Sequence, residues 1–275
     1  MEWQTSRFRI DLNTPRIMGI VNVTPDSFSD GGRYNTTDGA LAHCERLAQD
    51  GVDILDIGGE STRPGSPPVG LEEELSRLLP VVREAVKLGL PVSVDTYKAE
   101  VMRAVMDLGA DIINDVWALR RPGSLQALAD HPLCGVCLMH MHRDPLTMQL
   151  EPMEGDVLPA ILDFLAQRVQ VLRDLGVARE RIAVDPGIGF GKTPQQNFRL
   201  LSKDASWGSL GVPVLAGWSR KSSLGWATGK TAPADRLVAS VAAALIAVER
   251  GARIVRVHDV KETRQALQVW LAQRG

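Results

Sequence analysis

The stretch Arg181-Ile182-Ala183-Val184-Asp185-Pro186-Gly187 decides how the rest of the chain is read. Its aliphatic run lacks the polar alternation of a half-exposed strand, so it suits a strand buried on both faces. It stops on a carboxylate and a Pro-Gly turn, and a helical stretch follows. The same unit recurs along the chain. Apolar runs stand at residues 16–21, 53–57, 91–94, 111–113, 135–139, 181–184, 213–216 and 253–257.

Helical stretches separate these runs. Leu71, Leu75, Leu78, Leu79, Val82 and Val86 form one apolar stripe, with a kink or break expected near Leu79 because Pro80 removes an amide donor. Ile161, Leu165, Val169 and Leu172 form another. An Ala-rich helix is expected over 234–249 and a last one near 260–271. Gly51, Gly89, Gly109, Gly176 and Gly251 each stand where a helix should stop before a strand. Eight alternating units imply a parallel sheet closed as a (β/α)8 TIM barrel, one domain over 1–275. The segment before Arg16, with Phe8-Arg9-Ile10 near Asn13-Thr14-Pro15, is expected to add a short N-terminal hairpin across the barrel floor. An open doubly wound sheet is the competing architecture.

Composition narrows the function classes. The 275 residues carry 31 Lys+Arg against 33 Asp+Glu, a net charge of −2, which argues against a general nucleic-acid binder. A content of 44% hydrophobic and 23% charged residues supports a packed core and excludes a disordered chain. Three cysteines cannot form a disulfide scaffold and point to a reducing compartment. The first nine residues lack the apolar core of a secretory signal, and the longest apolar run, 241–248, falls short of the roughly 20 residues that cross a bilayer. A cytoplasmic protein without a membrane span is expected.

In a barrel of this kind chemistry sits where the strands end. The successive runs lead to Asn22; to Gly58-Gly59-Glu60-Ser61-Thr62-Arg63; to Asp95; to Asn114-Asp115; to His140-Met141-His142; to Asp185-Pro186-Gly187; to Ser219-Arg220-Lys221; and to Arg256 and His258. A lone strand-end Asp is usually a helix cap, but eight polar ends converge on one mouth. Asp95 and Asp185 with Asn22 and Asn114 can hold a planar hydrogen-bonding heterocycle, since a carboxylate pairs bidentately with an N–C–N edge. Lys221, Arg256 and His258 supply positive potential for an anion. An asparagine oxygen can serve as a neutral Mg²⁺ ligand where substrate phosphates complete the shell. The mouth therefore reads as a heterocycle pocket beside a phosphate pocket.

These strings resemble the dihydropteroate synthases of folate synthesis. The resemblance is carried by Met18-Gly19-Ile20-Val21-Asn22-Val23-Thr24-Pro25-Asp26-Ser27-Phe28, Asp56-Ile57-Gly58-Gly59-Glu60-Ser61-Thr62-Arg63-Pro64-Gly65, Ser93-Val94-Asp95-Thr96, Ile113-Asn114-Asp115-Val116 and Met139-His140-Met141. It continues through Asp185-Pro186-Gly187-Ile188-Gly189-Phe190-Gly191-Lys192, Ser219-Arg220-Lys221-Ser222 and Arg256-Val257-His258-Asp259-Val260. It implies a barrel, generally homodimeric, that condenses 6-hydroxymethyl-7,8-dihydropterin pyrophosphate with p-aminobenzoate, a step with which sulfonamides compete. It implies further that Asp95, Asn114 and Asp185 bond the pterin edge, that Lys221 reaches its carbonyl side, and that Met139 and Phe190 pack on the ring. Gly189 and Gly217 would line the pterin site, Asn22 would ligate Mg²⁺, and Arg256 and His258 would grip the pyrophosphate. Ser222, at a helix N-terminus, would receive the p-aminobenzoate carboxylate. Asp95, Lys221, Arg256 and His258 are thus the expected catalytic set. Phe28 on one loop (22–34) and Thr62, Arg63 and Pro64 on another (60–70) would close over the site and order on binding. On this division Arg256→Ala should cripple turnover yet leave pterin binding largely intact.

Other signals are weaker. The Gly187–Lys192 glycines fail the P-loop spacing, because Pro186 occupies the required glycine position. Cys134 and Cys137 have CxxC spacing, but residues three apart on a strand face opposite ways, so buried inert thiols are expected. Cys44 reads as packing. His142-Arg143-Asp144-Pro145 departs from the usual family form, and Trp117 is also unusual there. The competing functions are a pterin-binding methyl-transfer barrel, a non-catalytic pterin-binding module, and a metal-dependent hydrolase using His140, His142, Asp185 and His258. The first should lack the Thr62-Arg63-Pro64 loop and the Arg256/His258 anion site. The second should lose Asn22 or Lys221.

Overall fold

In the computed structural model, residues 1–24, 32–62, 65–202 and 207–273 are described, with only the backbone of 32–36. A hairpin comes first, β1 (Glu2–Gln4) pairing antiparallel with β2 (Arg9–Asp11). Eight parallel strands follow: β3 (Arg16–Asn22), β4 (Ile54–Gly58), β5 (Val92–Asp95), β6 (Ile112–Asp115), β7 (Gly135–Met139), β8 (Ile182–Asp185), β9 (Leu215–Ala216) and β10 (Ile254–Val257). Their order, β8-β7-β6-β5-β4-β3-β10-β9, closes on itself through a parallel bridge between Val184 and Val214. The Val184 N–H donates to Pro213 O at 3.0 Å across that seam. Each strand lies within one or two residues of its expected run, and the open sheet is excluded.

The helices are α1 (Gly32–Gln49), α2 (Leu71–Ala85), α3 (Ala99–Asp107), α4 (Ser124–Ala129), α5 (Val157–Asp174), α6 (Pro194–Arg199), α7 (Ser222–Thr228), α8 (Leu237–Glu249) and α9 (Val260–Ala272). The α5 stripe of Ile161, Leu165, Val169 and Leu172 is buried against the barrel wall. The five expected helix stops all adopt positive φ, from +73° to +102°, which glycine alone adopts without strain. Three expectations are corrected. Of the kink or break expected at Pro80, no break occurs, and α2 runs on to Ala85; one missing amide is outweighed by the buried Leu78, Val81 and Val82 on either side. The first long loop ends early, because α1 already begins at Gly32. The helix expected over 234–249 starts at Leu237, after a 3₁₀ turn at Pro233–Arg236.

Two cores follow from strand alternation. Outward residues pack under the helices. Inward residues Met18, Ile54, Ile112, Cys137, Ala183, Leu215 and Ile254 meet Trp3, Ile10 and Leu12 of the hairpin region in a second cluster, a plugged floor. Trp3 is fully buried and its indole N–H donates to Arg181 O at 3.0 Å. Cys134 lies in the outer cluster and Cys137 in the inner one, so the CxxC pair is divided by the sheet. Burial pushes the Cys134 and Cys44 thiols up to about 12, and all three cysteines are buried and reduced. Among the described residues no single helix is long and apolar enough to cross a membrane; a bent pair, Ser222–Thr228 with Pro233–Glu249, passes by length and composition.

Candidate active site

Two residues above the floor, the inward position turns polar or small on six of the eight strands. Ile54 gives way to Asp56, Ser93 to Asp95, Ile112 to Asn114, Ala183 to Asp185, Leu215 to Gly217 and Ile254 to Arg256. Period-two alternation puts these side chains inside the barrel, near the strand C-termini. Met139, two beyond Cys137, joins them.

Arg256 organises this layer. Its Nε donates to Asp56 Oδ2 at 2.6 Å and its Nη2 to Asp95 Oδ2 at 3.0 Å. Asp56 is fully buried and also accepts from Ser93 Oγ at 2.6 Å, with Asn114 Nδ2 at 3.4 Å. Burial pushes Asp95 up to about 7, with Arg256 opposing that rise. Burial likewise pulls Arg256 down, but Asp56 and Asp95 outweigh it and hold the guanidinium firmly charged. Arg256 and Asp95, expected on the phosphate side and the heterocycle side, are thus a directly bonded pair. Asp56 sits inside an apolar strand run, and a carboxylate at a core position was the signal that could have found it.

The loop after β8 forms the opposite wall. Asp185 is 6% exposed; burial raises its carboxyl, while the Gly187 N–H at 2.7 Å, Lys221 and Arg256 pull it back. The loop's shape needs glycine at Gly187, where φ is +71° and a β-carbon would lie 1.8 Å from His140 O. The Gly189 N–H donates to Asn197 Oδ1 at 2.8 Å, and Asn197 Nδ2 donates to Ser223 Oγ at 2.9 Å, which ties the loop to α7. The Lys221 ammonium stands 4.3 Å from the Phe190 ring centroid, a cation–π contact. Phe190, Met139, Met141, Met148 and Val116 form a separate apolar cluster, with Tyr97 and Trp117 against it.

The remaining expected residues lie around this mouth. Arg220 takes a left-handed φ of +59°, held by Ser240 Oγ accepting its N–H at 2.9 Å and by Arg236 Nη1 donating to its carbonyl at 2.9 Å. That turn starts α7 with Lys221 as its N-cap and Ser222 exposed at its first position. His258 Nδ1 lies 2.9 Å from Ser219 Oγ, and the His258 N–H donates to the same oxygen at 3.1 Å. Asn22 ends β3, opposite Gly58. Thr62 is half-buried on its loop, beside a Ser61–Ser66 hydroxyl contact of 3.0 Å. Phe28, Arg63 and Pro64 lie outside the described residues. The Gly65 N–H donates to Pro145 O at 3.2 Å, which joins this loop to the segment after His142. At the loop's root, Glu60 accepts from Tyr97 Oη at 2.8 Å and Lys98 Nζ at 2.5 Å, and Lys98 also pairs with the buried Glu74.

A fully buried lysine completes the site. Lys192 is 2% exposed, and burial pulls its ammonium down to about 7. The sequence placed it at the end of a glycine-rich string but gave it no role, because lysine is ordinarily a surface residue. His140 is held far below the ordinary histidine value, first by burial and then by Lys192 and Arg120, so its ring is neutral.

Comparison with known proteins places these features. A family model described as pterin binding enzyme matches residues 18–258. The dihydropteroate synthase of Neisseria meningitidis serogroup C is 50% identical over 273 residues, covering 98% of this chain and 96% of that protein. The structure of Burkholderia cenocepacia dihydropteroate synthase complexed with 7,8-dihydropteroate superposes with a TM-score of 0.90 at 50% identity, covering 99% of this chain and 96% of the other. That of Xanthomonas albilineans dihydropteroate synthase with 4-aminobenzoic acid gives 0.90 at 50% identity, with 97% and 96% covered.

Proposed function

The chain belongs to the pterin-binding enzymes, with the dihydropteroate synthases, and from that premise we propose that it joins 6-hydroxymethyl-7,8-dihydropterin pyrophosphate to p-aminobenzoate, yielding 7,8-dihydropteroate and pyrophosphate. The observation that carries the reading is the single polar layer of Asp56, Asp95, Asn114, Asp185 and Arg256 under the Phe190–Lys221 wall. Three hydrogen-bonding groups inside one mouth suit the edge of a pterin, with Asp95, Asn114 and Asp185 as its partners. Met139 and Phe190 supply apolar faces, Gly189 and Gly217 leave room for the ring, and Lys221 meets its carbonyl side.

The anionic end of the substrate then lies toward Arg256 and His258, and Thr62 lies on the p-aminobenzoate side. The exposed Ser222 at the start of α7 takes the p-aminobenzoate carboxylate. Among the described residues no group of three or more His, Cys, Asp or Glu forms a metal cage. One neutral amide oxygen, from Asn22, with phosphate oxygens is a donor set that fits Mg²⁺. Bound there, Mg²⁺ would neutralise charge on the departing pyrophosphate.

The protein groups do the rest by position and charge. The methylene C–O bond of the pterin breaks and pyrophosphate leaves with the electron pair, aided by Arg256 and His258. Asp95, as a carboxylate, stabilises the cationic pterin methylene. The p-aminobenzoate nitrogen attacks that carbon and then loses a proton to water. No protein nucleophile takes part. The chain works as one barrel unit in the cytoplasm, on small molecules rather than nucleic acid or membrane. It works as a homodimer that covers the exposed Trp226, Val238 and Ile246 of α7 and α8. A coupled pyrophosphate-release assay with Mg²⁺ and both substrates tests the reading. Release that requires p-aminobenzoate is expected; pterin binding without release would favour the non-catalytic module.

A further inference from the structure

Lys192 makes no use of solvent. Its Nζ donates to Gly187 O at 2.8 Å and Phe190 O at 3.1 Å, and lies 3.0 Å from His140 Nδ1, which spends all three ammonium hydrogens inside the chain. The neutral His140 ring presents Nδ1 as the acceptor and packs edge-on against Phe164, with centroids 5.0 Å apart. The His140 N–H in turn donates to Asp185 O at 2.9 Å. The two carbonyls gathered by Lys192 belong to the residue whose N–H holds the Asp185 carboxylate and to the residue whose ring meets Lys221.

Resting on the pterin reading of this pocket, we propose that Lys192 is a positioning residue for pterin recognition. Its ammonium fixes the turn from Gly187 to Phe190, so that the Asp185 carboxylate and the Phe190 ring form one preformed wall. It touches no substrate itself.

A purely structural role fits the geometry less well. A buried charge is weak evidence for a stabilising role. Both carbonyls would also keep a second donor, since the Phe190 N–H reaches Gly187 O at 3.1 Å and the His142 N–H reaches Phe190 O at 3.5 Å. What the cation alone adds is definition of the turn, together with a charge that favours the ionised form of Asp185.

The test is Lys192→Met, which keeps an unbranched stem one atom shorter and removes every donor. Calorimetry with 6-hydroxymethylpterin and steady-state kinetics with both substrates separate the possibilities. Expected is a rise of about tenfold or more in the pterin Kd and in the KM for the pterin pyrophosphate, with kcat and the p-aminobenzoate KM changed less than about threefold and the thermal midpoint near wild type. Lys192→Gln, which restores two donors without charge, should recover part of the loss. A folded Met variant that binds pterin within about twofold of wild type overturns the proposal, as does an equal loss for both substrates. If neither variant can be recovered folded, Lys192 is a stability element and the proposal also fails. Failure of the wild type to bind pterin would instead overturn the pterin reading.

Discussion

Replacing Arg256 by Met should cost stability in a way that depends steeply on pH. The guanidinium is the shared partner of Asp56, fully buried, and Asp95, at 2.6 and 3.0 Å. Without it, two carboxylates face each other in a closed layer. Asp95, already pushed up to about 7 by burial, takes a proton at neutral pH for little cost. The second carboxylate must then stay charged and unpaired or be neutralised. Neutralising an ordinary carboxylate costs about 1.4 kcal/mol per pH unit above its pKa, so roughly 4 kcal/mol at pH 7 and about 1.5 kcal/mol at pH 5. That ceiling agrees with the 3–5 kcal/mol typical of breaking a buried pair. In the variant the folded protein holds a proton that the unfolded chain releases, so its stability falls as pH rises. Urea unfolding of both proteins at pH 5 and pH 7, extrapolated to water, reads the difference. Adding Asp56→Asn to Arg256→Met should restore most of the loss, because an amide needs no counter-charge. A loss below about 1 kcal/mol at pH 7, or an equal loss at both pH values, would refute the reasoning. Pterin binding should weaken as well, because Asp95 loses its partner.

Three further outcomes are expected. Asp95 is raised by burial, so its share of stability is present below its ordinary acidic range and is lost as pH rises through about 7; pterin affinity should move the opposite way, climbing across the same window, and calorimetry on Asp95→Asn should show that climb removed. Gly187→Ala should destabilise by roughly 2 kcal/mol or more and abolish pterin binding, since the new methyl meets His140 O at 1.8 Å from a backbone at φ +71°; an unchanged urea midpoint would contradict the close approach. Trp3→Ala should cost about 3–5 kcal/mol by opening the barrel floor, with kcat of the folded fraction unchanged because the floor does not reach the site.

The eight strands were legible because parallel strands buried on both faces leave unbroken apolar runs, and the helices because glycine must end them at positive φ. Asp95, Asn114 and Asp185 were legible as well, because polar residues ending such runs have one mouth to share. Pro80 misled, since local propensity cannot weigh the packing of Leu78, Val81 and Val82 that carries α2 through it. Asp56 and Lys192 stayed hidden for a related reason. One sits within an apolar run and the other follows a glycine-rich turn, and neither spacing says that burial will pair it.

What the sequence determined by itself was periodic: where strands and helices fall and which residues stand at the strand ends, whereas closure of the sheet was settled by the bridge between Val184 and Val214. Period-two alternation even sets the polar layer two residues above the apolar floor, from Ile54 to Asp56 and from Ile254 to Arg256. What only the tertiary structure decided was partnership. Arg256 lies 200 residues from Asp56 and 161 from Asp95 along the chain, yet closure of the barrel brings all three within hydrogen-bond reach. Charge state follows from that meeting, because desolvation and a neighbouring ion act through space, and neither is written in the order of residues.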